Sequence, residues 1–198
     1  VYTESEKGKF KKNALEVASY ASAVAKMMGT TVTAVAFNST DNELLGDYGV
    51  SKILNVKDES LAIFNAGAYA ASIAQAAKST EAKVVILSSS TDTKYLAPLL
   101  AAKLSAGYTP NVVQAPESTS PFMVKRTAFS NKGFAHTQID TDIKIIGVSN
   151  NAFGAHESKT AITVEEINGT SDENTNNTKS VEIDKVVGKA TIADADIV

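Results

Sequence analysis

The 198-residue chain contains no cysteine. This absence excludes disulfide bonds, cysteine nucleophiles and cysteine-ligated zinc or iron–sulfur sites within the sequence. Long apolar runs are also missing, since none approaches the ~20 residues of a membrane-spanning helix. Positive charge is not in excess either, because the chain has 19 Lys and Arg residues and 22 Asp and Glu residues, which gives a net charge of -3. We therefore expect neither membrane insertion nor a nucleic-acid partner, which usually requires a marked basic excess.

What is present is the composition of a globular domain. Hydrophobic residues make up 43% of the chain and charged residues 21%, which are ordinary proportions for such domains. A chain of this length buries roughly 70% of its unfolded surface, so its core needs no cross-link. The lack of thiols and of a signal peptide fits a reducing cytoplasm.

Apolar patterns in the first half of the chain predict strands and helices in alternation. The spacing of apolar residues from Phe10 to Met28 predicts a helix, and Gly29 suits a left-handed cap after it. Residues 1–4 have the pattern of a strand that begins before Val1. The remaining predicted elements are strands at 31–37, 52–56 and 83–87, a helix at 64–78, and a helix opened by residues 88–93 and ended by Gly107. Such alternation predicts a mostly parallel sheet with helices on both faces.

The pattern changes after Pro110. Residues 122–129, 134–139 and 143–148 are short strand-like runs with little helix between them, which predicts an antiparallel extension of the sheet. Residues 168–179 contain no apolar side chain and are typical of a flexible loop. Residues 181–190 are consistent with one more strand or an edge segment. The predicted class is therefore α/β, a Rossmann-like and mostly parallel sheet with an antiparallel addition.

Four segments, in order along the chain, resemble the motifs of a single family. Residues 48–54 (YGVSKIL) are similar to that family's YGADKVL, and residues 96–104 (LAPLLAAKL) to its LAPRLAARL helix. Residues 124–129 (VKRTAF) resemble its strand that carries an Arg followed by an aromatic residue, and residues 193–198 (ADADIV) look like the lead-in to its glycine-rich segment. The family that these segments resemble is that of the alpha subunits of electron-transfer flavoproteins, in which the glycine-rich segment opens the flavin domain. The chain departs from the family at Thr93-Lys94-Tyr95, where many members have Gly-Arg-Asp, at Leu99, where they have Arg, and at Asn111, where they have Asp.

This resemblance implies a fold and a role. The fold would be that of the N-terminal domain of the alpha subunit, of the adenine nucleotide alpha hydrolase-like type. Residues 1–167 would form this domain, 168–180 a polar loop, and 181–198 a closing segment that leads to a flavin adenine dinucleotide (FAD)-binding domain outside the chain. FAD would belong mainly to that domain and the family's AMP to the beta subunit, so no cofactor is expected in this fragment.

The resemblance also implies partners. The chain would be a scaffold that packs against the beta subunit in a heterodimeric electron carrier of the bacterial cytoplasm. That carrier would pass electrons from dehydrogenases to a quinone reductase or another acceptor. No catalytic constellation is visible in the sequence, so we expect no enzyme activity from this chain.

The loop from Ser88 to Lys94 is the best local candidate for binding a ligand. It joins a predicted buried strand to a helix N-terminus, where free N–H groups favour an anion. The donors would come from Ser89, Ser90, Thr91 and Lys94. The competing interpretation is simple helix capping, which we favour because the loop lacks a glycine-rich turn. The alternative function is accordingly a stand-alone adenine-nucleotide-binding domain that uses this loop.

Arg126 interrupts an apolar strand and is a candidate interface residue, although a half-buried edge arginine explains it equally well.

His136 and His156 are the only histidines, and their surroundings in the sequence offer neither a metal site nor a catalytic triad. A group of lysines opens the first helix and is usually a solvated end, with docking as the less favoured interpretation. These are Lys7, Lys9, Lys11 and Lys12.

Overall fold

The computed structural model describes residues 1–170. It contains three α-helices, α1 (Lys12–Met28), α2 (Ala66–Ser79) and α3 (Thr91–Leu104), and short 3-10 helices at Asn42–Asp47 and Glu59–Leu61. The strands are β1 (Ser5–Glu6), β2 (Lys9–Phe10), β3 (Thr33–Phe37), β4 (Lys52–Val56), β5 (Val84–Ser88), β6 (Gly107–Val112), β7 (Ser118–Thr119), β8 (Phe122–Ala128), β9 (Gly133–Gln138), β10 (Lys144–Val148) and β11 (Thr163–Ile167).

The main strands form two parallel groups, in the order β11-β4-β3 and β5-β10-β6. The first three residues join these groups. The backbone N–H of Thr3 donates to the carbonyl of Val35 in β3 over 3.0 Å, and the N–H of Tyr2 donates to that of Ile86 in β5 over 2.9 Å. The predicted N-terminal strand segment therefore lies at the centre of the molecule, between β3 and β5.

The sheet is covered by helices on both faces. One core contains residues of α2 and α3, and the other contains residues of α1 together with β8. Neighbouring strand residues alternate between the two cores, as successive side chains of a strand must. Val35 and Phe37 belong to the α2–α3 core, whereas Ala34 and Ala36 belong to the α1 core. This confirms the predicted α/β class.

The antiparallel part is a hairpin of β8 and β9 attached to the end of the sheet. β8 pairs antiparallel with β6, β7 and β9. The prediction of an antiparallel extension holds for residues 122–128 and 133–138. It is wrong for β10, which lies between β5 and β6 and runs parallel to both. The four residues after Lys144 are buried, which is the pattern of a strand inside a parallel sheet.

Two further predictions differ from the structure. α3 ends at Leu104 and is capped by Ser105, which takes the left-handed conformation (φ 49°), and not by Gly107. Gly107 instead begins β6, where a Cβ atom would lie 2.8 Å from Thr141 Oγ1. The sequence missed β6 because Pro110 and Asn111 interrupt its apolar pattern; Asn111 has φ 60°, and the register with β10 shifts beside it.

The ends of the other elements agree with prediction to within two residues. Gly29 caps α1 in the left-handed conformation (φ 66°) as expected, and β4 has the predicted bounds. β11 was not predicted. Of the proposed loop 168–180, only residues 168–170 are described, and they have no regular structure. The predicted strand at 181–190 and the segment 193–198 lie outside the described residues. No helix in residues 1–170 is long and apolar enough to cross a membrane.

Candidate functional site

A polar cleft of about 610 Å³ opens at the carboxyl ends of the parallel strands. This is the edge at which open α/β sheets usually hold their ligands. The cleft lies between the start of α1, the start of α3 and the loop that follows β10. Its lining residues are Glu4, Glu6, Lys11, Lys12, Asn13, Glu16, Ser90, Thr91, Asp92, Asn150 and Asn151.

The floor of the cleft contains a buried carboxylate, Glu4, which is only 3% exposed. It follows directly on the segment that joins the two strand groups. Glu4 Oε1 accepts a hydrogen bond from Asn13 Nδ2 over 2.9 Å and a short one from Ser88 Oγ. The ammonium of Lys11 lies 3.5 Å from Glu4 Oε2. This network ties β5 and α1 to the N-terminal segment, and sequence patterns did not identify it.

A second buried carboxylate, Glu16 of α1, holds the loop after β10. It accepts backbone N–H groups of Asn151, Phe153 and Gly154 at 2.8, 2.8 and 2.9 Å. One turn along α1, Ser19 Oγ accepts the N–H of His156 over 2.9 Å. The available signal in the sequence was a charged residue on the apolar face of a helix.

Only some residues of the predicted anion-binding loop lie at the cleft. Ser90 caps α3, because its Oγ accepts the N–H of Thr93 over 3.2 Å. Ser90 and Thr91 line the cleft, whereas Ser89 and Lys94 do not. The Oγ of Ser89 is buried without a hydrogen-bond partner, and it lies 3.2 Å from where a Cβ on Gly147 would be. Anion binding at this loop remains a prediction.

Charge in the cleft opposes an anionic ligand. Its walls carry the carboxylates of Glu4, Glu6, Glu16 and Asp92 against the ammonium groups of Lys11 and Lys12. Burial raises the pKa of Asp92, the nearby Lys11 lowers it, and Glu4 raises it further. A neighbouring phosphate would repel these carboxylates and would raise the pKa of Asp92 further. On charge alone, the excess of carboxylates over ammonium groups in the lining disfavours a phosphate-bearing ligand in this cleft.

A second cavity, of about 350 Å³, lies at the amino ends of the strands. Apolar side chains such as Val24, Leu54 and Ile73 line it, together with the backbone edges of β3 and β5. Val1 borders it as well. The charged residues of its wall are Glu81 and Lys83.

Arg126, the predicted interface residue, lies in β8 beside the junction with β6. It is the only arginine of the chain. Its Nε donates to Thr137 Oγ1 of β9 over 3.2 Å, so the side chain lies across the hairpin. The side chain is half-buried, and its role in an interface remains a prediction.

The two histidines lie far apart in the sequence and have different partners. His136 Nδ1 lies 2.8 Å from Glu117 Oε2, a pair that the sequence did not predict because β8 separates the two residues. His156 Nε2 lies 2.8 Å from the carbonyl of Phe153. No group of three or more potential metal ligands occurs within residues 1–170.

The comparisons with known proteins agree with the fold. No individual curated protein matches the chain. A family model described as electron transfer flavoprotein domain matches residues 1–186. This match covers all of the described residues, including the cleft and the hairpin. The chain therefore belongs to the electron transfer flavoprotein family, and its role lies in electron transfer.

Proposed function

We propose that this chain is the N-terminal domain of the alpha subunit and serves as the scaffold of a heterodimeric electron carrier. Three of the resembling segments support the alpha assignment. Residues 48–54 lead into β4, residues 96–104 form most of α3, and residues 124–129 lie in and just beyond β8. The resemblance thus includes one strand group, a helix and the hairpin.

FAD, in this proposal, is held by a second domain of the alpha subunit. Bound FAD supplies the group that accepts and donates electrons. The observation that carries the proposal is the charge of the cleft, where four carboxylates face two lysines. A phosphate-bearing cofactor gains nothing from such a wall. The residues described here therefore contribute packing and position, and no catalytic step.

The partners in this proposal are the beta subunit, dehydrogenases that donate electrons, and a quinone reductase or another acceptor. The compartment is the bacterial cytoplasm. In the scaffold role, the chain gives the flavin-bearing domain a fixed base by packing against the beta subunit. Half-buried polar residues at the end of the sheet, Arg126 above all, suit such an interface.

A second candidate function is a stand-alone adenine-nucleotide-binding domain. The position of the cleft at the carboxyl ends of the strands favours it, and Thr91 at the start of α3 offers donors there. The carboxylates of Asp92 and Glu4 argue against this candidate, because they line the same cleft and would repel the phosphate of a nucleotide.

Two measurements separate these functions. The purified chain is denatured, and any released nucleotide is identified by mass spectrometry. In parallel, the chain is mixed with the beta subunit of the same organism, and the mass of the complex is measured by light scattering after size exclusion. We expect no nucleotide and a one-to-one complex. An adenine nucleotide without a complex would favour the second candidate, and released flavin would contradict the assignment of FAD to another domain.

A further inference from the structure

The hairpin of β8 and β9 concentrates positive charge in a chain that is otherwise acidic. From Ser118 to Ile139 the sequence contains Lys125, Arg126 and Lys132 and no Asp or Glu. The rest of the chain therefore carries 16 Lys and Arg residues against 22 Asp and Glu residues. Two carboxylates flank this segment: Glu117 is paired with His136 at 2.8 Å, and Asp140 accepts a hydrogen bond from Gln138 Nε2 over 2.6 Å. The hairpin thus presents a local field of opposite sign to that of the whole molecule.

The outward face of the hairpin combines Lys125 with an aromatic ring, whereas Arg126, which pairs with Ala135, lies on the opposite face. The pairing of Lys125 with His136 and of Thr127 with Phe134 sets these four side chains on one face. The ammonium of Lys125 lies 4.5 Å from the centroid of the Phe134 ring. Phe134 is 63% exposed, and a cation over an exposed ring stabilises the pair by only about 0.5–1 kcal/mol.

The tip of the hairpin has the same composition. Phe129 is 81% exposed, the highest exposure among the large apolar side chains described. The ammonium of Lys132 lies 5.8 Å from its ring centroid. Phe129 also adopts a positive φ of 52°, a conformation that is uncommon for a bulky residue. The Phe129 ring therefore lies in solvent and contributes little to the hydrophobic core.

The outer edge of the hairpin is open. Among the described residues, β9 pairs only with β8. Its six residues alternate between half-buried and exposed side chains. An unpaired edge strand offers backbone N–H and carbonyl groups to another chain.

We infer that this basic hairpin, residues 122–138, is the surface on which the domain docks an acidic surface of its partner subunit. The inference rests on the proposed function, because the partner is the beta subunit. Exposed aromatic rings, here Phe129 and Phe134, are enriched at protein interfaces. The surrounding cations select a partner of opposite charge and steer its approach. Nucleic acid is the less suitable partner, since the remainder of the chain would repel its phosphates.

Charge reversal at the hairpin tests the inference. Lys125→Glu/Lys132→Glu is compared with Lys78→Glu/Lys159→Glu, which makes the same charge change at exposed lysines outside the hairpin. The dissociation constant of the complex with the beta subunit is measured at about 0.01 M and 0.15 M ionic strength. We expect the hairpin variant to bind at least about tenfold more weakly, with a smaller salt dependence than the wild type. The control variant should bind like the wild type, and urea midpoints confirm that both variants fold.

A second variant, Phe129→Ser/Phe134→Ser, tests the apolar part of the surface without changing charge. It should also bind more weakly by about tenfold, while its salt dependence stays that of the wild type. If both hairpin variants bind the beta subunit like the wild type, the docking inference is wrong and the scaffold function stands.

A probe independent of the beta subunit distinguishes a wrong partner from a wrong docking surface. A short poly-L-glutamate peptide and a single-stranded RNA of equal charge are titrated onto the chain, and backbone amide shifts are followed by NMR. If the wild type does not bind the beta subunit but poly-L-glutamate shifts the hairpin amides, the proposed partner is wrong and the acidic-surface preference holds. Tighter binding of the RNA, or no response of the hairpin to either probe, would overturn the inference.

Discussion

Arg126 links two parts of the molecule at the scale of a single side chain. Its hydrogen bond to Thr137 fastens β8 to β9, and its pairing with Val112 lies at the junction with β6. A half-buried hydrogen bond of this kind contributes about 0.5–1.5 kcal/mol to stability. An arginine at the centre of an interface costs about 2 kcal/mol or more when truncated.

We therefore expect Arg126→Ala to weaken assembly with the beta subunit more than it lowers the melting temperature of the isolated chain. Size-exclusion titration measures the first effect and thermal unfolding the second. Lys78→Ala, an exposed cation on α2, serves as the control. Assembly equal to that of the wild type would remove Arg126 from the interface.

Glu16 gives the sharpest prediction about stability at this scale. It is 6% exposed and accepts three backbone N–H groups of the loop after β10. Glu16→Ala leaves those donors without their charged acceptor, so we expect the free energy of unfolding to fall by about 3 kcal/mol. Urea denaturation measures the loss, and Glu43→Ala, at an exposed glutamate, should change it by less than about 0.5 kcal/mol. Equal midpoints for the two variants would contradict the anchoring role of Glu16.

At the scale of elements, α3 has one face buried in the core and another exposed at the surface. Leu100 is fully buried against the sheet, whereas its neighbour Leu99 is 44% exposed. The family pattern has Arg at the position of Leu99, and the exposure of this leucine is consistent with that position lying at the surface. Thus the family pattern and the burial both place Leu99 on the solvent side of α3 and leave Leu100 on the side that packs on the sheet.

This orientation predicts different costs for two identical substitutions. Leu100→Ala should lower the free energy of unfolding by about 2–5 kcal/mol, because it leaves a cavity in the core. Leu99→Ala should cost less than about 1 kcal/mol, since its side chain remains largely in water. Denaturant midpoints measured with an unchanged slope test both values. A negligible effect of Leu100→Ala would contradict the packing of α3 on the sheet.

At the scale of the whole molecule, the first three residues hold the two strand groups in one sheet. Tyr2 is buried and lies edge-on to Phe37 and to Tyr69, with ring centroids 5.9 and 6.1 Å away. These contacts join β3 to α2 through the N-terminal segment. All three rings belong to the core that α2 and α3 form.

Tyr2→Ala should consequently destabilise both strand groups together, by about 3–5 kcal/mol. The loss should appear as a single unfolding transition by circular dichroism and by tyrosine fluorescence. Tyr95→Ala, at a side chain that is 68% exposed, is the matched control and should leave the midpoint nearly unchanged. Two separated transitions in the Tyr2 variant would mean that the groups fold independently.

The sequence by itself determined much of the local structure. Apolar periodicity located all three helices and most of the long strands, because each amphipathic face must be buried. Gly29 marked the end of α1 through its freedom to take a positive φ. The quoted motifs also led to the electron transfer flavoprotein family, which the match over residues 1–186 bears out, whereas the assignment to the alpha subunit is a proposal.

Only the tertiary structure decided which strands are neighbours. β10 follows two antiparallel strands in the chain yet inserts in parallel between β5 and β6, and no local pattern specifies that choice. The carboxylates of Glu4 and Glu16 likewise find partners up to 138 residues away along the chain. Local propensity sets the type of an element, whereas its neighbours and the charge of the cleft depend on side chains that meet only when the whole chain packs.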